Sequence, residues 1–313
     1  MTKIAALTGG TGFIGKRIAE QLIQDGWQVR ALVRSEWPGP LPTGLTIFKG
    51  SLEDQPRLEH LVEGASAVVH CAGAVRARSP QEFLRINADG AGQLAKAAAA
   101  SPTQPLFLHI SSLAARVPEI SPYAASKREG EQKVAANIGN LRWFALRPPA
   151  VYGPGDQATL SIFRHINRGI APVLGAADAR VSLIFVDDLA AAVAAALANP
   201  PATGSIFEIS DGAVGGYSWK RIGAAAAHSL GSSIFYLRVP KLILQIAAVA
   251  NVGAGLLSGG VPIMTLGKVR ELYHPDWACR DNLLTAGTEW RPKVEIDEGF
   301  VRTLAWYREQ GWV

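Results

Sequence analysis

The chain has 313 residues, 48% of them hydrophobic, enough to bury a large core in one large domain or two closely packed ones. Two cysteines, Cys71 and Cys279, exclude a disulfide framework and suit a reducing compartment, and six scattered histidines with no H-x-x-x-H or C-x-x-C spacing speak against a metal site. The net charge of +5 comes from dispersed lysines and arginines without a basic run, so no nucleic-acid partner is expected; no secretory leader is visible at Met1, and a cytoplasmic protein is expected.

Lys3-Ile-Ala-Ala-Leu7 reads as a short buried strand running into Thr8-Gly-Gly-Thr-Gly-Phe-Ile-Gly15 and then an amphipathic helix to about Asp25. This is the strand, glycine turn and helix of a dinucleotide fold. Gly9 permits the tight turn, Gly12 lets the backbone approach a pyrophosphate, and Gly15 lets the helix pack on the strand; Thr11, Phe13 and Ile14 complete the cradle. The second strand, Val29–Val33, is followed by Arg34, where a carboxylate would hold the ribose hydroxyls of NAD and an arginine accommodates the extra phosphate of NADP. NADP is therefore expected, with NAD the alternative because Glu36 restores an acid after a shift of two.

A third strand at Leu45–Phe48 leads to Gly50-Ser51-Leu52, and a fourth, Ala67–His70, leads to Ala72 and Gly73. The fifth, Leu106–Ile110, ends beside Ser112, where open α/β sheets place their ligands. Tyr123 and Lys127 stand four apart in a helical segment, so both side chains leave one face and the ammonium favours the ionised phenol. Such a phenol can exchange a proton with a carbonyl or carbinol oxygen, and Ser112 can bind the same oxygen; Ser111 is the alternative hydroxyl. A sixth strand, Leu141–Leu146, precedes Arg147-Pro-Pro149.

The alternation predicts an α/β chain: a Rossmann-type doubly wound parallel sheet with a smaller, mostly helical C-terminal substrate lobe. Strand and helix return at Val181–Leu197 and a strand at Ser205–Ile209, so the expected division is 1–152 plus 181–210 against 153–180 plus 211–313, with the active site in the cleft between them. Leu242 to Met264 holds no charged residue. Its length fits a membrane span, yet four glycines and a proline in its second half are expected to break a helix. A buried helix and loop covering an apolar substrate is the expectation, with peripheral membrane contact and a span as alternatives.

These motifs resemble the extended short-chain dehydrogenase/reductase family, also called the epimerase/dehydratase family. The resemblance rests on the G-x-x-G-x-x-G turn, Val68-Val-His-Cys-Ala-Gly73, Ile86-Asn-Ala-Asp-Gly90, Leu146-Arg-Pro-Pro-Ala-Val-Tyr-Gly-Pro-Gly-Asp156 and Phe185-Val-Asp-Asp-Leu189. It implies Asn87 as the active-site asparagine, against its simpler reading as a helix cap, and Pro148, Ala150 and Val151 along the nicotinamide. It implies that Ser51 and Leu52 lie beside the adenine, although Ser51 stands where the family has an aspartate. A homodimer is also common in the family. Val181 occupies the place of the arginine with which sugar-nucleotide members hold a pyrophosphate, and its neighbour Arg180 reaches that place only by a one-residue shift.

The expected function is an NADP-dependent oxidoreductase interconverting a ketone and a secondary alcohol on an apolar small molecule, closest in character to 3β-hydroxysteroid dehydrogenase-like members. The alternatives are a nucleotide-sugar epimerase with retained NAD and a non-catalytic cofactor-binding protein.

Overall fold

A computed structural model describes residues 3–313, with 256 and 257 described through their backbone alone. It separates into two units. The first comprises residues 3–148, Leu189–Glu208 and Asp281–Trp290, and the second Pro149–Asp188, Ile209–Arg280 and Arg291–Val313. Strand pairing draws this division more finely than the sequence does. Ala150–Tyr152 pairs in parallel with Leu183–Phe185, which places both in the second unit. Residues 281–290 join the first because Asn282 Nδ2 donates to the Ile206 carbonyl at 2.7 Å and Leu283 bridges to Glu208.

In the first unit the seven apolar runs form β1 (Ile4–Thr8), β2 (Gln28–Val33), β3 (Leu45–Lys49), β4 (Ala67–His70), β5 (Leu106–Ile110), β6 (Trp143–Arg147) and β7 (Ser205–Glu208). Every pairing is parallel, in the order β3-β2-β1-β4-β5-β6-β7. Parallel strands covered on both faces must be apolar almost throughout, and Ala5, Ala6, Leu7, Val68, Val69, Phe107, Leu108 and Phe144 are fully buried. The strand order reverses between β1 and β4, so their carboxyl ends open the crevice in which such sheets bind ligands.

Three helices of this unit bear on the site: α1 (Phe13–Gln24), α2 (Gly90–Ala100) and α3 (Pro122–Asn137). The start of α3 is set by Ser121, whose hydroxyl accepts the Ala124 N–H at 3.0 Å, and by Pro122 in the first turn. A Cβ on Gly130 of α3 would lie 2.5 Å from the Asn87 carbonyl oxygen, so only glycine allows α3 to come this close. That approach brings Lys127 toward Asn87.

The second unit has an aromatic core. Tyr152, fully buried, meets Phe185 and Phe300 edge-on with centroids 5.5 and 5.1 Å apart. Its strands pair two by two, including Ile170–Leu174 with Phe235–Val239. The charge-free stretch departs from expectation here. Helix α4 (Lys241–Ser258) runs through Gly253 and Gly255 and ends only at Gly259, at φ +69°. Glycine lowers helix propensity by about 1 kcal/mol but keeps its N–H, whereas proline removes it, and Pro262 lies beyond the helix end. Nor is α4 buried: Leu242, Ile243, Ile246 and Val249 are 56–65% exposed, while Ala248 is fully covered. Among the described residues no helix is long and apolar enough to cross a membrane.

Candidate active site

The glycine turn between β1 and α1 is shaped by close approaches. Gly9 takes φ +74°, and a Cβ there would lie 2.6 Å from the Ala72 nitrogen, so the turn can pass the backbone after β4 only without a side chain. A Cβ on Gly15 would lie 2.1 Å from the Gly9 oxygen, which fixes glycine where α1 crosses the turn. Gly12 donates to the Gly9 carbonyl at 3.0 Å and is the N-cap of α1, with no capping side chain and no acid in the first turn. The first amides of a twelve-residue helix are thus left for an outside acceptor, at the positive end of its dipole. Thr11 and Gly12 are exposed, with Phe13 and Ile14 partly buried behind them. These features fit a dinucleotide pyrophosphate.

Two of the expected site residues, Lys127 and Asn87, come together beside the turn after β4. Lys127 is almost fully buried and donates Nζ to the Ile110 carbonyl at 2.9 Å. A Cβ on Gly73 would lie 3.2 Å from Asn87 Oδ1 and 3.7 Å from Lys127 Nζ, so those two groups flank the turn after β4. Asn87 sits in a π-helical turn, Arg85–Asp89, of a kind frequent at functional sites. Its Oδ1 accepts the Ala74 N–H at 2.6 Å, and its Nδ2 donates to the Ala74 carbonyl at 3.0 Å and to Ser126 Oγ at 2.8 Å. Ser126 in turn donates to the Tyr123 carbonyl at 2.7 Å. The asparagine therefore ties the turn after β4 to α3 and does not cap its own helix.

The two serines after β5 differ sharply. Ser111 is buried and donates its hydroxyl to Glu131 Oε1 at 2.5 Å; Glu131 also takes both Arg147 contacts, at 2.7 and 2.6 Å. Ser112 is half-buried, and its oxygen accepts the Ala114 N–H at 3.2 Å, which leaves its proton available. The following residue, Leu113, donates to the Pro148 carbonyl at 2.8 Å. Tyr123 is partly buried, its ring edge-on to Phe83 at 6.0 Å.

Burial lowers the Lys127 pKa from 10.5 to about 8, against the opposing influence of Cys71 and Glu131. Beneath it lie two histidines that sequence reasoning used only to argue against a metal. His70 and His109 are register partners on β4 and β5, and both are fully buried. Burial first, and the Lys127 charge second, push His70 down to about 3 and His109 well below its ordinary value. Thr8 Oγ1 shares a 2.7 Å hydrogen bond with His70 Nδ1 and accepts the Ala72 N–H at 3.3 Å. Both histidines stand next to last or last in their strands, and that shared register was the signal available in the sequence.

At the outer end of the crevice Arg34 follows β2 directly, exposed and in no ion pair among the described residues; Glu36 is exposed too. Ser51 Oγ accepts the Glu53 N–H, and Leu52 packs on Gly90, where a Cβ would come within 2.7 Å of its Cδ1. Sequence reasoning passed over Trp37. It is buried against Gly10, with its indole N–H lacking a partner among the described residues. Ala150 and Val151 lie on the second unit's Ala150–Tyr152 strand, and Val181 bonds Tyr217 in both directions while Arg180 points outward, exposed. No cluster of metal ligands occurs among the described residues.

The sequence pattern of the NAD dependent epimerase/dehydratase family matches residues 5–210. The chain belongs to that family. It is accordingly an NAD(P)-dependent oxidoreductase of the extended short-chain type. The enzyme is 38% identical over 314 aligned positions to the ceramide reductase of Caulobacter vibrioides, covering 99% of this chain and 96% of that one. It is 31% identical over 206 positions to the 2-alkyl-3-oxoalkanoate reductase of Stenotrophomonas maltophilia, covering 59% and 62%. The UDP-glucose 4-epimerase structure from Thermotoga maritima superposes with a TM-score of 0.73 over 99% of both chains at 20% identity, a likeness of fold.

Proposed function

We propose that the enzyme reduces a keto group on a ceramide-type lipid with NADPH. The observation that carries this reading is the 38% identity to a ceramide reductase over nearly the whole of both chains. The apolar substrate first inferred from a buried cover over residues 242–264 loses that support, since α4 is exposed; it rests now on the relative. Arg34, exposed and in no ion pair among the described residues, follows β2 where a 2′-phosphate would lie and so supports NADPH.

The glycine turn from Gly9 to Gly15 and the first amides of α1 would hold the cofactor, which when bound would supply a hydride for a carbonyl carbon. Ser112 and Tyr123 donate hydrogen bonds to the carbonyl oxygen, which polarises the bond and stabilises charge as it develops there. Tyr123 gives its phenolic proton to that oxygen, so carbon gains the hydride, oxygen the proton, and the product is a secondary alcohol. Lys127, held by the Ile110 carbonyl, keeps positive charge beside the phenol and the cofactor ribose. Asn87 holds the turn after β4 against α3 and so positions Lys127.

The test is NADPH consumption by the purified enzyme with a long-chain keto-ceramide dispersed in mild detergent, run beside NADH and beside UDP-glucose. Consumption with appearance of the hydroxyl lipid is expected. Epimerisation of UDP-glucose without net cofactor turnover would instead assign an isomerase. If Tyr123→Phe kept full turnover, the proton donor proposed here would be wrong.

A further inference from the structure

The exposed apolar face of α4 has a continuous pattern. Leu242, Ile246 and Val249 fall at i, i+4 and i+7 with Ile243 beside them, all more than half exposed, while Ala248 turns inward. The surface continues beyond the helix. Asn251 Oδ1 accepts the N–H groups of Ile263 and Met264 at 2.9 and 3.0 Å, holding the loop against α4 with Ile263 59% and Val261 41% exposed. On the strand leading into the helix, Phe235 and Leu237 are 69% and 46% exposed, and Tyr273 Oη donates to the Val239 carbonyl at 2.6 Å to fix that strand's end.

Charge selects the occupant. Positions 212 to 270 hold no aspartate or glutamate but six lysines and arginines, of which Arg221 pairs with Asp297 and Lys268 with Glu271. Arg238 and Lys241, where the strand gives way to α4, are exposed and in no ion pair among the described residues. With Tyr273 and Gly175 they line a groove of about 500 Å³. A face combining large exposed aliphatic side chains with unpaired cations at its edge matches a bilayer carrying anionic headgroups: acyl chains meet the apolar stripe and phosphates meet the cations. A second copy fits less well, because a two-fold contact through this face brings Arg238 and Lys241 toward their own counterparts.

We infer that α4 and the adjoining strand and loop form a docking surface for an anionic membrane, on which α4 lies in the plane of the interface. This rests on the surface alone and not on the lipid-ketone reading, so either can fail without the other.

The experiment is co-sedimentation of the full chain with vesicles of equal parts phosphatidylglycerol and phosphatidylcholine, beside pure phosphatidylcholine vesicles. Salt-sensitive binding to the anionic vesicles is expected. Ile243→Ser with Ile246→Ser should weaken it about tenfold or more. Arg238→Gln with Lys241→Gln should weaken it about 25-fold, at about fivefold per cation, while leaving binding to neutral vesicles unchanged. Thermal unfolding and NADPH binding of each variant establish that it is folded. Equal sedimentation of wild type and folded variants would overturn the inference. So would failure to bind vesicles in a protein whose lipid-free dimer, seen by light scattering, is broken by the isoleucine substitutions, which would assign the face to a second copy.

Discussion

His70 and His109 stack with ring centroids 5.3 Å apart, register partners across β4 and β5 beneath the ammonium of Lys127. Neither ring nitrogen of His109, nor Nε2 of His70, has a hydrogen-bond partner among the described residues. A protonated imidazole there would be a buried charge beside another of the same sign, so the folded state holds both rings neutral.

That arrangement predicts acid sensitivity in a defined window. His70 titrates at 6.5 when unfolded and at about 3 when folded. Below pH 6.5 the unfolded chain binds the extra proton, so its stabilising contribution is complete above 6.5 and is lost progressively as pH falls toward 3. The loss is about 1.4 kcal/mol per pH unit for each histidine so held. Urea unfolding followed by tryptophan fluorescence between pH 7.5 and 5 should give this slope. His109→Leu, which breaks no hydrogen bond, should reduce it by about one such increment; an unchanged slope would mean that His109 does not contribute.

Lys127 predicts the opposite exchange of stability for function. Its pKa falls from 10.5 to about 8 on folding, so between those values the unfolded state holds more protons and stability rises with pH. At pH 7 the burial penalty is present in full. Lys127→Met should therefore raise the stability of the cofactor-free protein at pH 7 by about 1–3 kcal/mol while abolishing turnover, and the gain should vanish as pH approaches 10.5. A variant destabilised at every pH would show that the Ile110 contact outweighs desolvation.

Ser111 and Ser112 separate structure from chemistry. Ser111→Ala leaves a nearly buried Glu131 oxygen without one donor, which should cost about 1–2 kcal/mol of stability with kcat/KM nearly retained. Ser112→Ala removes only a local cap at Ala114 from the fold, about 1 kcal/mol or less. It should lower kcat/KM about 10²- to 10³-fold, as loss of one donor to a developing oxyanion does. Steady-state kinetics beside thermal unfolding of both variants decides between them, and a reversed pattern would move the catalytic hydroxyl to Ser111.

The seven strands were legible because parallel, doubly covered strands must be near-continuous apolar runs, and Ala5–Leu7, Ala67–His70 and Phe107–Ile110 are short, apolar and bounded by turn residues. The glycine turn was legible for the same kind of reason: Gly9 and Gly15 answer steric demands that no other residue meets. What was not legible depends on which groups the fold brings together. Nothing local links Ser126 to Asn87, and nothing in Leu242–Met264 says whether an apolar helix is covered. The face of α4 stays open because the second unit buries only a stripe around Ala248, a fact of tertiary packing that hydrophobicity alone does not encode.

The proposed choice of NADPH rests on Arg34, one residue beyond the end of β2, where β1 and β2 run side by side toward the glycine turn. A guanidinium there gains from a 2′-phosphate and gains nothing from a bare ribose, for which the nearby Glu36 is the better partner. Arg34→Ser should therefore raise KM for NADPH by about tenfold or more and leave KM for NADH within about twofold, consistent with the loss of one partly solvated charge-assisted contact. Adding Glu36→Gln should then weaken NADH as well. If Arg34→Ser affected both cofactors equally, the arginine would be acting on the fold of the loop containing Trp37 and not on a phosphate, and the proposed preference for NADPH would lose its support.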